Sequence, residues 1–256
     1  MELKCNPEVA AHLTSGSKRA GVITECWFAG YAYCLACGSN RLEQTRTNTP
    51  ARDYLCPKCD SPYELKSSVS PLGRRIVDGA YKTMMERITA SEAPTLMMLR
   101  YDIAWNVRDL VALHSVFLTP AVIEKRPPLA PTARRAGWVG CNLRIDRIPV
   151  DGRIALIRDG AECDRAQVRS LFRRSESFAE LKPERRGWAA LVLAAVRRIG
   201  KAEFGLGEVY GFEEEFHAAY PGNSHVRDKI RQQMQVLRDL GYVEFVGRGE
   251  YKVVGR

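Results

Sequence analysis

The stretch ARDYLCPKCDSPYELKS, residues 51 to 67, combines the residues of two chemistries. Asp53 stands eleven positions before Glu64, which is followed by Leu65 and Lys66. Two carboxylates and a lysine are the side chains that hold a hard cation such as Mg²⁺ and stabilise charge on a reacting phosphate. Inside the same stretch, Cys56 and Cys59 form a C-x-x-C pair that matches Cys34 and Cys37, with eighteen residues between the pairs. That spacing suits four thiolates closing tetrahedrally on zinc. Four protein ligands leave no open position, so a zinc here is structural. Gly38 and Asn40 suit the turn after the first pair, and Pro57 suits the second.

An acidic residue two before a lysine says little alone, because this chain has four such pairs: Glu2/Lys4, Glu64/Lys66, Glu180/Lys182 and Glu250/Lys252. Only Glu64 has an aspartate at hairpin distance before it, after Pro50. In a strand, residues i and i+2 face one side, so Glu64 and Lys66 converge. Asp53 can join them from the neighbouring strand, about 5 Å away across the ladder. Cys56 and Cys59 fall in the connection between those strands. The zinc would then clip the hairpin that carries the carboxylates.

Around these residues the sequence outlines two parts. Residues 1–25 carry a helical alternation, and Ile76, Ala80, Met84 and Ile88 predict a helix over 76–88. TLMMLRYDIAW (95–105) reads as a buried strand, and GRIALIRDG (152–160) as a second one between glycines. Strands mixed with helices indicate an α/β domain. A polar run containing Pro183 marks a boundary, giving domains at 1–182 and 183–256. Beyond it come a helix ending at Gly200, a second over Leu206–Tyr220, and a third over His225–Leu240 with Val226, Ile230, Met234 and Leu237 inward. A hairpin over 242–254 follows. Three helices and a hairpin make a winged helix.

The chain of 256 residues has a net charge of +9, and its cations are 29 Arg against 10 Lys. Arginine suits bidentate contacts with phosphate and guanine, which points to nucleic acid. On the third helix Arg227, Arg231, Gln232 and Gln235 lie opposite the apolar face, beside Asp228. Gln pairs with adenine and Arg with guanine in the major groove. Arg248 between two glycines would let the wing touch phosphate. In APTARRAGWVG, Arg134 and Arg135 with Trp138 suit a loop that contacts DNA and offers an aromatic to a methyl group. No apolar run approaches a membrane span, and the first residues lack the pattern of a signal peptide, so the expected location is cytoplasmic. Cys5, Cys26, Cys141 and Cys163 read as small buried residues. The four histidines are scattered and no phosphate-binding glycine loop occurs, which argues against histidine-based hydrolysis and ATP dependence.

The paired cysteines, Asp53 with Glu64-Leu65-Lys66, PLAPTARRAGWVGCN (128–142) and KIRQQMQVLRDLGYVEFVGRGEY (229–251) together resemble the DpnI-like methyl-directed type IIM restriction endonucleases. The resemblance implies an α/β restriction-endonuclease-like PD-(D/E)xK core with a four-cysteine zinc site and a C-terminal winged-helix domain. It implies a monomeric enzyme that cuts double-stranded DNA at GATC when the adenines carry N6-methyl groups. Blunt ends and Mg²⁺ dependence go with it. Asp53 and Glu64 match the metal carboxylates, Lys66 the catalytic lysine, and Cys34, Cys37, Cys56 and Cys59 the zinc ligands. The proline that usually precedes the first catalytic aspartate is replaced by Arg52. A zinc-ribbon and winged-helix transcription regulator without catalysis is the competing reading, and the Asp53–Glu64–Lys66 group separates the two.

Overall fold

A computed structural model describes residues 2–45 and 52–255; Pro50 lies outside the described residues. In chain order the elements are α1 (Gly16–Tyr31), β1 (Glu43–Gln44), β2 (Tyr54–Leu55), β3 (Pro62–Ser68), β4 (Arg75–Ala80), α2 (Tyr81–Thr89), β5 (Thr95–Tyr101) and β6 (Val107–Leu113). Then follow β7 (Ile123–Lys125), β8 (Gly140–Arg144), β9 (Arg153–Arg158), β10 (Ala161–Glu162), α3 (Arg165–Ser175) and α4 (Pro183–Ile199). The C-terminal elements are β11 (Glu203–Gly205), α5 (Leu206–Tyr210), α6 (Glu213–Ala219), α7 (Val226–Asp239), β12 (Val243–Gly247) and β13 (Glu250–Val253).

The chain packs as two compact units, one of residues 1–73, 93–115 and 151–176, the other of 74–92, 116–150 and 177–256. This division by packing differs from the division by sequence at 182/183, because residues 74–92 and 116–150 join the C-terminal residues. The first unit is built on one sheet of order β1-β2-β3-β5-β6-β9-β10. Only β3 and β5 run parallel; the other neighbours are antiparallel. Strand β5 is buried almost throughout, as its continuous apolar run demands. Helix α1 lays Ile23, Trp27, Phe28 and Tyr31 into the core with Tyr54, Tyr63, Met97 and Leu99. Each such side chain taken from water contributes roughly 1.5–3 kcal/mol. This is an α/β core of the kind expected.

In the second unit, β4, β8 and β7 form a small antiparallel sheet. The predicted helix over 76–88 is corrected here. Residues 76–80 belong to β4, paired Ile76 to Leu143 and Val77 to Asn142, and the helix starts at Tyr81. Ile76 and Ala80 satisfy the two-residue period as well as the helical one, and a partner strand far ahead in the chain decides between them.

The winged helix is present. Pro183 opens α4 and Gly200 ends it in the left-handed region, φ 75°. Val226, Ile230, Met234 and Leu237 of α7 are buried. Strands β11, β13 and β12 make the wing sheet. The expected second helix is split: α5 and α6 are separated by Gly211 and Phe212. Tyr220 stacks on Trp188 at 4.1 Å between ring centres, and Gly187 is the residue that permits this, since a β-carbon there would run into the Tyr220 hydroxyl. Among the lone cysteines, Cys5 and Cys141 are buried as expected, whereas Cys26 is exposed and Cys163 half-buried. Among the described residues, no helix is long and apolar enough to cross a membrane.

Candidate active site and nucleic-acid surfaces

The first unit brings Asp53, Glu64 and Lys66 together. Asp53 immediately precedes β2, and its N–H donates to the Tyr63 carbonyl at 2.9 Å, which sets it beside Glu64 on β3. Its carboxylate Oδ2 accepts the Leu65 N–H at 2.8 Å. Glu64 and Lys66 share a face, with Lys66 Nζ 2.7 Å from Glu64 Oε1. Their side chains are 15% and 20% exposed. Glu2, Lys4, Glu180, Lys182, Glu250 and Lys252 lie at the surface, so the other three pairs are solvated. Two carboxylates on adjacent strands offer oxygen donors with room for water and phosphate, a set that fits Mg²⁺.

A third carboxylate stands near this group. Glu25 projects from α1, whose place against the sheet is fixed by two side-chain bonds. The Tyr54 hydroxyl donates to the Glu25 carbonyl at 3.1 Å, and the Thr24 hydroxyl bonds the Ser67 hydroxyl at 3.0 Å. Burial, and then the charge of Asp53, hold the Glu25 carboxyl above the usual range. Nothing in the sequence singled out Glu25, because it lies far before the Asp53 stretch and belongs to no pattern with it.

Cys34, Cys37, Cys56 and Cys59 form a compact cluster with all four sulfurs within 4.8 Å of one another. The Cys34–Cys59 and Cys37–Cys56 sulfurs are 3.6 and 3.5 Å apart. Tetrahedral zinc with bonds of about 2.3 Å needs sulfurs roughly 3.8 Å apart, so the cluster fits the ion. Gly38 takes φ 76° in the turn after the first pair. Its carbonyl accepts from Arg169 at 3.0 Å, which ties the knuckle to α3. The Tyr63 hydroxyl, on the catalytic strand itself, lies 3.4 Å from the Cys34 sulfur and accepts the Leu35 N–H at 3.0 Å. Burial pushes the Cys34 thiol up to about 12. At Cys59 desolvation acts upward, but hydrogen bonds from Ser61 and the neighbouring cysteines outweigh it and bring the thiol down to about 7.

The other candidate residues lie in the second unit. Arg134, Arg135 and Trp138 occupy the loop from β7 to β8. Backbone bonds between Leu129 and Trp138 at 2.9 Å and between Gly137 and Leu129 at 3.0 Å close this loop. The Arg135 guanidinium lies over the Trp138 ring, 4.7 Å from its centre. Trp138 is half-buried and both arginines are exposed. On α7, Arg227, Arg231, Gln232 and Gln235 lie on the solvent side, as does Arg248 at the turn of the wing. Arg227 Nε donates to Glu213 at 2.8 Å and Arg231 pairs with Asp228, so these two cations are held in place by carboxylates.

Comparison with protein families agrees with this arrangement. A model described as the DpnI, Dam-replacing family matches residues 1–181, and one described as the Dam-replacing HTH domain matches residues 184–253. With the knuckle, the mixed sheet and the winged helix all in place, the chain belongs to the DpnI, Dam-replacing family.

Proposed function

We propose that this protein is a methyl-directed restriction endonuclease that hydrolyses both strands of DNA at GATC sites carrying N6-methyladenine, with Mg²⁺ and with blunt ends. The observation that carries the reading is the Asp53–Glu64–Lys66 group on β2 and β3, in a chain whose family is that of methyl-directed restriction enzymes. A regulator has no use for that group.

Asp53 and Glu64 would hold Mg²⁺, which when bound polarises the scissile phosphate and acidifies a coordinated water. Lys66 is oriented by Glu64. In this position its ammonium orients the attacking water and stabilises charge developing on the phosphate. Water oxygen bonds to phosphorus, the bond to the 3′ oxygen breaks, and the water proton passes to solvent while the leaving oxygen takes one up. The products are a 5′-phosphate and a 3′-hydroxyl. Zinc on Cys34, Cys37, Cys56 and Cys59 would keep the β2–β3 hairpin closed. We place the winged helix with α7 in the major groove, where Arg231, Gln232 and Gln235 meet base edges and Arg227 and Arg248 meet phosphates. Arg134, Arg135 and Trp138 form the second DNA contact. The reading includes a monomeric, cytoplasmic enzyme.

The test uses two matched duplexes with one GATC site, methylated or not, with Mg²⁺ and with EDTA. Cutting of the methylated duplex alone, abolished by EDTA and by Lys66→Ala, supports target and mechanism together. Binding without cutting supports the regulator instead, and cutting regardless of methylation overturns the methyl specificity.

A further inference from the structure

Strand β8 alternates strictly beyond its first residue. Cys141 and Leu143 are buried, so Gly140, Asn142 and Arg144 face the other way. Val77 on β4 and Glu124 on β7 are paired directly with Asn142 and share its face. Val77 is 63% exposed although it sits in the middle of a strand. Two residues along the same face, the Trp138 ring covers Gly140 so closely that a β-carbon there would come within 2.8 Å of it. Trp138 and Val77 therefore stand on one open face, separated by about 7 Å along the strand direction, with Asn142 beside Val77.

The polar part of this face is fixed. Glu124 accepts from Asn142 Nδ2 at 3.0 Å and from Arg75 and Arg144 at 3.1 and 3.3 Å. Its carboxyl is held below the usual range, first by the Asn142 bond and then, against desolvation, by the two arginines. A carboxylate only accepts, so the amide nitrogen of Asn142 must face Glu124. One hydrogen of that nitrogen is used, and the second remains to donate outward. Arg74, Arg75 and Arg144 surround the two carboxylates Glu124 and Asp146. The network is thus cationic overall.

A paired N6-methyladenine spends its one N–H on thymine. Its major-groove edge then shows a methyl group next to the N7 acceptor, in place of the donor and acceptor of plain adenine. A reader of that edge needs an apolar contact and a fixed donor. We propose that the outward face of the β4–β8–β7 sheet reads the methylated adenine, with Val77 and Trp138 against the methyl group and Asn142, oriented by Glu124, donating to N7. The proposal rests on the methyl-directed nuclease reading above and names the residues that would supply its specificity.

The experiment measures binding of the full chain, in Ca²⁺ to prevent cutting, to GATC duplexes with adenine, N6-methyladenine or N6-methyl-7-deazaadenine. In wild type the 7-deaza change should weaken binding about tenfold, the loss of one good base contact. Asn142→Ala should weaken binding of the methylated duplex by a similar factor and make the 7-deaza change neutral. Val77→Ser should lower the preference for methylated over unmethylated duplex about fivefold. Val77→Thr, of unchanged shape, gives the same reading should the serine variant lose stability. If wild type prefers methylated DNA and these variants match it in every ratio, the proposed face is wrong while the nuclease reading stands. If wild type shows no preference for methylated DNA, the nuclease reading itself fails.

Discussion

The Asp53 carboxylate accepts the Leu65 N–H at 2.8 Å. Asp53 is thereby held on the segment that carries Glu64 and Lys66, and its Oδ1 remains for a metal or water. An amide at position 53 keeps this bond through its carbonyl oxygen but loses the charge. Asp53→Asn is therefore expected to fold normally and to cut at least about 10³-fold more slowly, with DNA affinity changed little. Lys66→Ala should cost about 10²–10⁴-fold in the single-turnover rate, the range for loss of one preorganised catalytic group. The measurement is single-turnover cleavage beside equilibrium binding. Equal losses in both would point to a positioning defect and remove Lys66 from the chemistry.

Glu25 gives a pH prediction. Its carboxyl is raised by burial and by the negative charge of Asp53. A raised value in the folded state means that its contribution to stability is present below the unfolded value of about 4.3 and is lost as pH rises through the folded one. Glu25→Gln removes that loss. The variant should therefore gain stability over wild type at pH 7, and the gain should vanish toward pH 4. Saturating Mg²⁺ should raise the melting temperature of wild type by binding the folded form, and less so in Asp53→Asn. Thermal denaturation across pH, with and without Mg²⁺, reads all three. A Glu25→Gln effect that does not vary with pH would sever the link to Asp53.

The zinc knuckle and the catalytic strand share Tyr63, whose hydroxyl touches the Cys34 sulfur while its neighbour is Glu64. Loss of the metal should therefore reach the active site. Elemental analysis should find one zinc per chain. Cys37→Ser, or prolonged chelation, should lower stability by several kcal/mol, in keeping with metal binding that is coupled to folding. Cys26→Ser, which alters an exposed thiol outside the cluster, should change neither zinc content nor melting temperature. Full stability with the zinc removed would make the cluster ornamental.

How much of this was legible in the sequence depends on the distance over which each relationship acts. The cysteine pairs and the Asp53–Glu64–Lys66 group lie close together in the chain, and their spacing alone carries them. The inward face of α7 follows the helical period and is read directly. Residues 76–80 are different, because Ile76 and Ala80 fit both periods and the strand is chosen by Leu143 and Asn142 far along the chain. Glu25 reaches Asp53 only through the packing of α1 on the sheet. Val77, Glu124 and Asn142 come from three separate strands, so no local pattern contains them.

The winged helix makes its own prediction through salt. Arg227 and Arg231 are tied to Glu213 and Asp228, while Arg248 is a cation at the turn between β12 and β13. A wing arginine on phosphate adds to affinity without reading bases. Arg248→Ala should then weaken binding by a similar factor on every duplex and reduce the slope of log affinity against log salt by about 0.9. Gln232→Ala and Gln235→Ala should leave that slope unchanged and alter which base pairs are preferred, by about 1–3 kcal/mol per lost contact. Titrations at several salt concentrations on GATC and single-substitution duplexes distinguish these effects. A sequence-dependent loss from Arg248→Ala, or an unchanged preference in both glutamine variants, would mean that α7 does not enter the groove in this orientation.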